Sequence, residues 1–372
     1  MRSHRGCTFI AFVSPLILLA HPATAATNEQ SLIAEAGGLL GVLIPETVDS
    51  VGHVGTTTSL ALDARGNPYI AYRDETNRSL KLATKVRGIW VIETVDPNAG
   101  SGEESSFLAA NPILVDTHGD PSIAYTATGR TKLLYAVKHG AGWTVEAVDA
   151  AGCCVASPSM ALDREGDPSI AYTASDSLAW YLKYASMKNG RWTISTVATA
   201  PSFIGCSLAL DSNGEPRIVY AYQTAPLRFA WRAGQDWAYE TADSSAEVNP
   251  FGLSIDLDSL GSPYVSYYTL FDKAAVRLAS KQSGAWIHET VDSLGVPQID
   301  AEPDLWTSLA LGPQGEPGIA YYSTSRSRLR YVFKSGGAWT YMEPDTVFGT
   351  GYFASLARDS WGNPCISYFS GL

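Results

Sequence analysis

The feature that most constrains this chain is a unit of about 50 residues that the sequence repeats. Its first half reads Ser-Leu-Ala-Leu-Asp, a turn, and Pro-x-Ile-x-Tyr, as in SLALDARGNPYIAY at Ser59–Tyr72. This half occurs seven times at steps of 47 to 54 residues, with its tyrosine at Tyr72, Tyr125, Tyr172, Tyr220, Tyr267, Tyr321 and Tyr368. Two alternating apolar runs flank a turn of Asp, Gly and Pro, so each copy predicts a β-hairpin.

A second half-unit follows six of the seven copies. It starts with an apolar and basic strand such as LKLATK at Leu80, passes through a turn that contains Gly, and enters a strand with one Trp near its start. These tryptophans are Trp90, Trp143, Trp192, Trp237, Trp286 and Trp339. One unit therefore predicts four antiparallel strands, a to d, which matches the size and content of a propeller blade.

The seventh copy stops after strand b, and the missing half is found at the other end of the chain. Glu46-Thr47-Val48-Asp49 repeats the ending of strand d, so residues 32–49 predict a c–d pair that completes the C-terminal blade. Such closure covers open sheet edges. We therefore expect an all-β, seven-bladed β-propeller of four-stranded antiparallel blades, closed by an N-terminal c–d hairpin. A chain of immunoglobulin-like sandwiches is the alternative, but those repeat at roughly twice this period.

The repeat SLALDxxGxPxIxY followed by GxWxxETVD resembles secreted bacterial seven-bladed β-propeller repeat proteins over nearly all of the chain after residue 25. The resemblance implies a fold more than an activity, since propellers host lectins, hydrolases, lyases and scaffolds. The Trp in each blade is loosely similar to propeller lectins. SIDLDSLGSPY at Ser254–Tyr264 is superficially similar to a sialidase Asp-box but lacks its spacing and its Trp.

The first 25 residues read as an export signal. Arg2 and Arg5 precede the apolar run Thr8–Ala20, and Ala23-Thr24-Ala25 fits the small-x-small cleavage pattern. We expect a signal peptide at 1–25, one propeller domain at 26–372, and a secreted or periplasmic protein; a retained N-terminal anchor is the alternative. The repeat signatures fall near 59–96, 111–149, 159–198, 207–242, 254–292, 308–345 and 355–372, plus 32–49.

The net charge and the cysteine content limit which binding partners, metals and disulfide bonds can be expected. The full chain carries a net charge of −11, and loss of residues 1–25 leaves 24 basic against 37 acidic residues, a net charge of −13. Such a field repels phosphate, which argues against nucleic acid and anionic membranes. No cysteine pair has metal-site spacing, so we expect no metal and no cofactor. Cys153 or Cys154 could bridge to Cys206, a vicinal bridge could join Cys153 to Cys154, or the thiols could be free; Cys365 is expected in the core.

Residues that recur in every blade are expected to hold blades together. The repeated Tyr and Trp have large rings suited to packing between sheets. The Asp of each a–b turn is expected to cap that turn: Asp63, Asp116, Asp163, Asp211, Asp258 and Asp359, with Gly312 in the remaining copy.

Function is expected where the copies differ. The d–a and b–c loops share one face and vary in length, which favours that face for binding. The candidate ligand-binding residues are His53, Arg73, Asp74, Phe107, Phe203, Phe251, Asp304, Trp306 and Tyr352, in a collar with Phe353 and bordered by Glu103, Glu104, Asp300 and Glu302. The opposing interpretation is that these aromatics plug the channel mouth.

Aromatic rings beside carboxylates suit carbohydrate, because a ring stacks on the apolar face of a sugar and acceptors take its hydroxyls. The sequence therefore favours a monomeric, non-enzymatic binding propeller for a glycan or protein ligand. A glycoside hydrolase or polysaccharide lyase at the same face and a structural module of an extracellular assembly are the alternatives. No residue is assigned a catalytic role, and membrane insertion is not expected.

Overall fold

The structure is a computed structural model that describes residues 6–13, 42–100, 111–150, 153–176, 178–222, 225–244, 248–269, 274–294 and 306–371. These residues form four-stranded antiparallel sheets arranged as a β-propeller. A short 3-10 turn at Thr128–Arg130 interrupts the strands. Within the described part of the chain, no helix has the length and apolar character needed to cross a membrane.

Six blades each consist of four consecutive strands, and one further sheet combines strands from both ends of the chain. In chain order the strands are β1 Gly6–Val13, β2 Val42–Asp49, β3 Val54–Leu62, β4 Pro68–Asp74, β5 Ser79–Val86, β6 Ile89–Asp96, β7 Ile113–Val115, β8 Pro121–Thr126, β9 Leu133–His139, β10 Gly142–Asp149, β11 Cys153–Leu162, β12 Pro168–Ser175, β13 Trp180–Lys188, β14 Arg191–Ala200, β15 Ile204–Leu210, β16 Pro216–Tyr222, β17 Leu227–Ala233, β18 Asp236–Asp243, β19 Ser254–Leu257, β20 Pro263–Thr269, β21 Ala275–Gln282, β22 Ala285–Ser293, β23 Thr307–Leu311, β24 Pro317–Ser323, β25 Arg328–Ser335, β26 Ala338–Met342, β27 Thr350–Arg358 and β28 Pro364–Ser370. Blade 1 is β3–β6, and blades 2 to 6 follow in sets of four up to β26.

The last sheet, called the composite sheet, has the strand order β2-β1-β28-β27. In it β1 pairs antiparallel with both neighbours, and Thr8 lies opposite Thr47 on one side and Tyr368 on the other. The chain therefore has six contiguous blades, and the expectation of seven is corrected accordingly. The ring closes because the inner strands contact in the order β3, β7, β11, β15, β19, β23, β27 and back to β3.

The expected closing hairpin is also corrected. Of residues 32–49, only 42–49 appear as a described strand, β2, while 32–41 lie outside the described residues. The place of strand c is taken by β1, which lies inside the stretch expected to be the signal peptide. The physical reason is that GCTFIAFV is itself an apolar run with β-branched and aromatic residues, and sequence repetition alone does not decide which such run fills a sheet.

Hairpin formation follows from the repeated turn. In blade 1 the carboxylate of Asp63 accepts hydrogen bonds from the backbone N–H of Arg65 (2.9 Å) and Asn67 (2.8 Å). Gly66 supplies the positive φ of 80° that the turn requires. In blade 6, where Gly312 replaces the Asp, the carboxylate of Glu316 accepts the N–H of Gln314 instead.

Neighbouring sheets are joined by the repeated tyrosine. Its hydroxyl donates to the Asp that ends strand d of the preceding sheet, as in Tyr72 to Asp49 (2.7 Å) and Tyr267 to Asp243 (2.5 Å). The same bond forms for Tyr125–Asp96, Tyr172–Asp149 and Tyr321–Asp292, and Tyr368 bonds Asp345, which follows the end of β26. Tyr220 is the exception, because Ala198 occupies the Asp position in blade 3.

A second set of junction contacts circles the channel. The Ser of strand a accepts the backbone N–H of the next inner strand, as in Ser355 with Leu60 (3.0 Å). Equivalent bonds join Ser59–Ile113, Ser159–Leu208, Ser207–Ile255, Ser254–Leu309 and Ser308–Leu356. Blade 2 carries Pro112 at this position. The small repeated serine is therefore a latch between inner strands.

The outer strand d is tied down by its Trp. The indole N–H donates to a Glu of the preceding blade in Trp192–Glu146 (2.8 Å), Trp286–Glu240 (2.9 Å) and Trp339–Glu289 (3.2 Å). These bonds and the tyrosine bonds lie at sheet junctions. Position thus favours a structural role for both repeated aromatic residues.

Candidate functional site at the channel mouth

The d–a loops meet at one end of the central channel, where a cavity of about 150 Å³ opens. Its walls come from residues within or just before the inner strands of all the sheets, including Thr57, Asn111, Cys206, Trp306 and Phe353. Below them lie the serines that latch the inner strands. The site is therefore built by the ring as a whole rather than by one blade.

Backbone strain is concentrated at this mouth. Thr57, Ser157 and Phe353 have positive φ of 53°, 46° and 53°, although none is glycine. All three occupy the same repeat position, two residues before the latching serine, and the pairing register shifts there in β3, β11 and β27. Left-handed non-glycine residues and bulges cluster at functional sites, since the cost of the strain must be offset elsewhere.

The aromatic residues of the expected collar are present but form separate groups. Phe203 stacks on Phe251 with ring centroids 4.9 Å apart, and Trp180 meets Phe203 edge-on at 5.2 Å. Tyr352 stacks on Tyr322 at 4.2 Å, and its hydroxyl donates to that of Tyr322 at 3.0 Å. These groups leave half-exposed ring surface on the loop face.

A third aromatic group borders the cavity. His53 lies 5.8 Å from Phe369, Phe369 lies 6.5 Å from Phe353, and Phe353 lies 6.1 Å from Trp306, all measured between ring centroids. Phe353 and Phe369 are buried, whereas His53 and Trp306 are half-buried. The group thus presents two edges, His53 and Trp306, on either side of a packed apolar centre.

Trp306 differs from the strand-d tryptophans that bond to a Glu. Its Nε1 atom is buried, and no acceptor among the described residues reaches it. The ring lines the cavity. Trp143 and Trp237 of strand d also have a buried Nε1 with no acceptor among the described residues, so Trp306 is distinguished by its place in the cavity wall.

Arg73 and Asp74, which the sequence places at the start of a ligand-binding loop, are both buried. Arg73 is 2% exposed, and its guanidinium donates to Asn111 Oδ1 (3.0 Å) and to the carbonyl oxygens of Ala99 (2.9 Å) and Thr126 (2.9 Å). Asp74 is fully buried and bonds Lys81 Nζ at 2.7 Å. Arg73 therefore ties blade 1 to blade 2, whereas Asp74 is bonded within blade 1.

Of the alternatives left open for the cysteines, the structure shows free thiols. Cys154, Cys206 and Cys365 are free thiols, so neither a bridge from Cys154 to Cys206 nor a vicinal bridge forms. Cys206 is buried beside the cavity, with its Sγ 3.5 Å from the carbonyl oxygen of Ser157, and burial raises the pKa of its thiol to about 12. Cys365 lies in the core, and the side chain of Cys153 lies outside the described residues.

Several expected residues cannot be placed. Phe107 and Asp304 lie outside the described residues, as do Glu103, Glu104, Asp300 and Glu302. Among the residues that are described, no group of three potential metal ligands comes together. Sequence reasoning missed Trp180, Tyr322 and Phe369, although Trp180 and Tyr322 lie at the edges of b–c loops, where the copies differ.

Comparisons with known proteins identify the fold of this chain but assign it to no family. No protein-family model matches the chain, and no curated relative matches it. Many solved structures are similar to it, and three examples have TM-scores just above 0.5. They are a fucose-specific lectin from Aleuria aurantia (TM-score 0.51, 15% identity, 77% of this chain and 95% of that one), the BP39L lectin from Burkholderia pseudomallei (0.53, 11%, 85% and 97%) and a puromycin hydrolase S511A mutant (0.52, 12%, 82% and 48%). At these identities the comparisons establish that the chain has the β-propeller fold.

Proposed function

We propose that this protein is an exported, non-enzymatic carbohydrate-binding propeller whose site is the channel mouth. The observation that carries the proposal is Trp306, whose buried indole N–H has no acceptor among the described residues and whose ring lines the cavity. The C–H face of a sugar can pack on the half-buried ring, and a rotation of that ring that uncovers the N–H would let a hydroxyl or the ring oxygen of the sugar accept it.

The size of the cavity supports one sugar residue rather than a long chain. At about 150 Å³ it has the volume of an engineered cavity that accepts benzene, a six-membered ring. The half-exposed pairs Phe203–Phe251 and Tyr322–Tyr352 lie on the same loop face and offer further stacking surface for the rest of a glycan. Two of the similar solved propellers are lectins, and one is named fucose-specific, so 6-deoxyhexoses are the first ligands to test.

The test is a glycan array with the purified chain, followed by titration of the best ligand. Trp306→Phe keeps an aromatic ring and removes the N–H, and we expect it to weaken binding about 2- to 12-fold, the worth of one hydrogen bond. Trp306→Ala also removes the ring and should weaken binding further. The matched control is Trp192→Phe, because that N–H already bonds Glu146 far from the channel.

Two results would contradict this proposal. Equal affinity of the wild-type chain and Trp306→Phe would exclude the indole N–H as a ligand contact. Release of reducing ends or unsaturated products from the bound glycan would show an enzyme in place of a binding protein.

A further inference from the structure

In the described part of the chain, two clefts of the same construction open on the face opposite the channel mouth. The first lies between blades 1 and 2 and has a volume of about 360 Å³; it is lined by Tyr69, Leu82, Thr84, Asp120 and Lys138. The second lies between blades 5 and 6 and has a volume of about 420 Å³; it is lined by Tyr264, Leu278, Ser280, Glu316 and Lys334. Residue by residue, these two sets occupy the same positions of the repeat.

The sequence explains why these two junctions are open. Strand c carries Leu82 in blade 1 and Leu278 in blade 5, whereas blades 2, 3, 4 and 6 carry a large aromatic residue there. Those aromatic residues are Tyr135, Tyr184, Phe229 and Tyr331, and all are buried. In blades 1 and 5 the aromatic residue is instead on strand b, as the half-buried Tyr69 and Tyr264.

At junctions where the strand-c residue is aromatic, its ring occupies the space that the leucines leave empty. In blade 3 the hydroxyl of Tyr184 lies 2.9 Å from Ser169 Oγ, and its ring meets Trp237 of blade 4 edge-on at 5.5 Å. Tyr135 makes the same ring contact with Trp192, and Phe229 makes it with Trp286, each at 5.5 Å. A leucine is too short to close the junction in this way, so a cleft remains.

The lining of each cleft suits a neutral, polyhydroxylated ligand. The leucine and the tyrosine ring provide apolar surface, and Thr84 or Ser280 provides a hydroxyl. Lys138 is paired with Glu93 at 2.5 Å and Lys334 with Glu289 at 2.6 Å, so both ammonium groups are compensated. The first cleft is also bordered by Lys85, which pairs with Glu46, and by the exposed Arg87. Asp120 and Glu316 add carboxylate acceptors, which disfavour an anion and accept hydroxyl donors.

The tyrosine hydroxyls remain donors at neutral pH. Burial, reinforced by the charges of Asp63 and Asp120, raises the pKa of Tyr69. Burial, reinforced by Asp258 and Glu289, raises the pKa of Tyr264. Each cleft therefore combines a phenol donor, an ammonium donor and a carboxylate acceptor around an apolar floor, which is the mixture that a sugar ring requires.

We propose that the two clefts are equivalent binding sites for a sugar residue, which makes one chain bivalent on this face. Going round the ring, blades 2 to 5 separate the clefts on one side, and blade 6, the composite sheet and blade 1 separate them on the other. They therefore lie on nearly opposite sides of the ring. A short ligand can occupy only one cleft, whereas one chain can bind two multivalent glycans at once and cross-link them. This inference extends the proposed carbohydrate binding to a second face and does not depend on Trp306.

The blades themselves supply the test. Tyr69→Ser with Leu82→Tyr gives blade 1 the residues of blade 3 and should close the first cleft, and Tyr264→Ser with Leu278→Tyr should close the second. In the Trp306→Phe background, calorimetric titration with methyl glycosides of fucose, galactose, mannose and N-acetylglucosamine should give two equivalent cleft sites, then one, then none as the clefts are closed, beside the weakened site at the channel mouth. The converse pair, Ser169→Tyr with Tyr184→Leu, should open a third.

The outcomes separate the two proposals. Two results would overturn the proposal that the clefts bind sugar. One is binding that persists at the same stoichiometry after both clefts are closed. The other is no binding of any of these glycosides to Trp306→Phe with both clefts open. If Trp306→Phe binds as tightly as the wild-type chain and the binding disappears when the clefts are closed, the clefts are the sugar-binding sites and the channel mouth is not. We expect each variant to keep the fold, because every introduced residue already occurs at that repeat position in another blade. Circular dichroism on each variant checks this.

Discussion

The hydroxyl of Tyr172 donates a 2.6 Å hydrogen bond to Oδ2 of Asp149, the residue that ends strand d of the preceding blade. Lys183 Nζ lies 2.8 Å from the same oxygen. The bond joins the second strand of one blade to the outermost strand of its neighbour, so it resists separation of the two blades. Burial of Tyr172, followed by its bond to Asp149, raises the pKa of the hydroxyl, which stays protonated and donating.

Tyr172→Phe should lower the free energy of unfolding by about 1–2 kcal/mol, since it removes one hydrogen bond to a charged acceptor and leaves the ring packing intact. Tyr220→Phe is the matched control, because Ala198 stands where the other blades have Asp. Urea unfolding of both variants measures the difference. Equal losses for the two variants would mean that the bond to Asp149 adds nothing to stability.

Arg73 gives a second stability prediction. Its guanidinium satisfies Asn111, Ala99 and Thr126, which belong to the loop after blade 1 and to blade 2. Arg73→Met leaves these buried acceptors without their donor, and we expect a loss of roughly 2–4 kcal/mol. Arg65→Lys, in an exposed turn, should change stability by less than about 0.5 kcal/mol. If Arg73→Met unfolds at the urea concentration of the wild-type chain, the buried network is not stabilising.

The turn carboxylates give a pH prediction. Burial alone would raise the pKa of Asp163, but the ammonium of Lys188 and the N–H groups of Asp167 and Glu165 outweigh it and hold that pKa below its ordinary value of 3.8. Because the folded-state pKa is the lower one, the stabilisation is present above about pH 3.8 and is lost as the pH falls through the folded-state value. The stability difference between the wild-type chain and Asp163→Asn should therefore shrink as the pH falls below 3.8. A difference that grows on acidification would contradict this.

Much of the architecture is readable from the repeat because each copy carries its own turn and its own junction residues. Asp63 and Gly66 specify a hairpin locally, and Tyr72 and Asp49 recur at positions that meet in every junction except the one with Ala198. The composite sheet could not be predicted in this way. β1 belongs to no repeat copy, and its pairing with β28 is a contact between the two ends of the sequence.

The candidate sites are less predictable because they depend on distances between blades. Arg73 and Asp74 differ from the residues at the same positions of the other copies, which suggested a ligand-binding role. In the structure Arg73 instead donates to Asn111 and Thr126 across the junction between blades 1 and 2. The clefts had a usable signal: Tyr69 with Leu82 and Tyr264 with Leu278 exchange the large and small positions of Ser169 and Tyr184. Comparing strands b and c of each copy as a pair, rather than singly, reveals that exchange.

The thiols give a chemical prediction. Burial raises the pKa of both Cys206 and Cys365 to about 12, and both side chains are buried in the folded chain. Neither should react with Ellman's reagent at pH 8 until the protein is unfolded. Since Cys154, Cys206 and Cys365 are free thiols, a reducing agent should leave the melting temperature unchanged. Rapid labelling of Cys206 in the native protein would show that the cavity beside it opens.

Export gives the last prediction, because two assignments compete for the same residues. Cleavage after Ala25 would remove β1, which pairs with β2 and β28 in the composite sheet. We expect the exported protein to begin at Ala26, which would leave β2 and β28 without the strand that pairs with both of them. Intact mass and N-terminal sequencing of the exported chain, with hydrogen exchange on β28, test this. A mature chain that retains residues 6–13 would exclude the signal peptide, and one that begins at Ala26 with β28 unprotected would mean that the composite sheet needs β1.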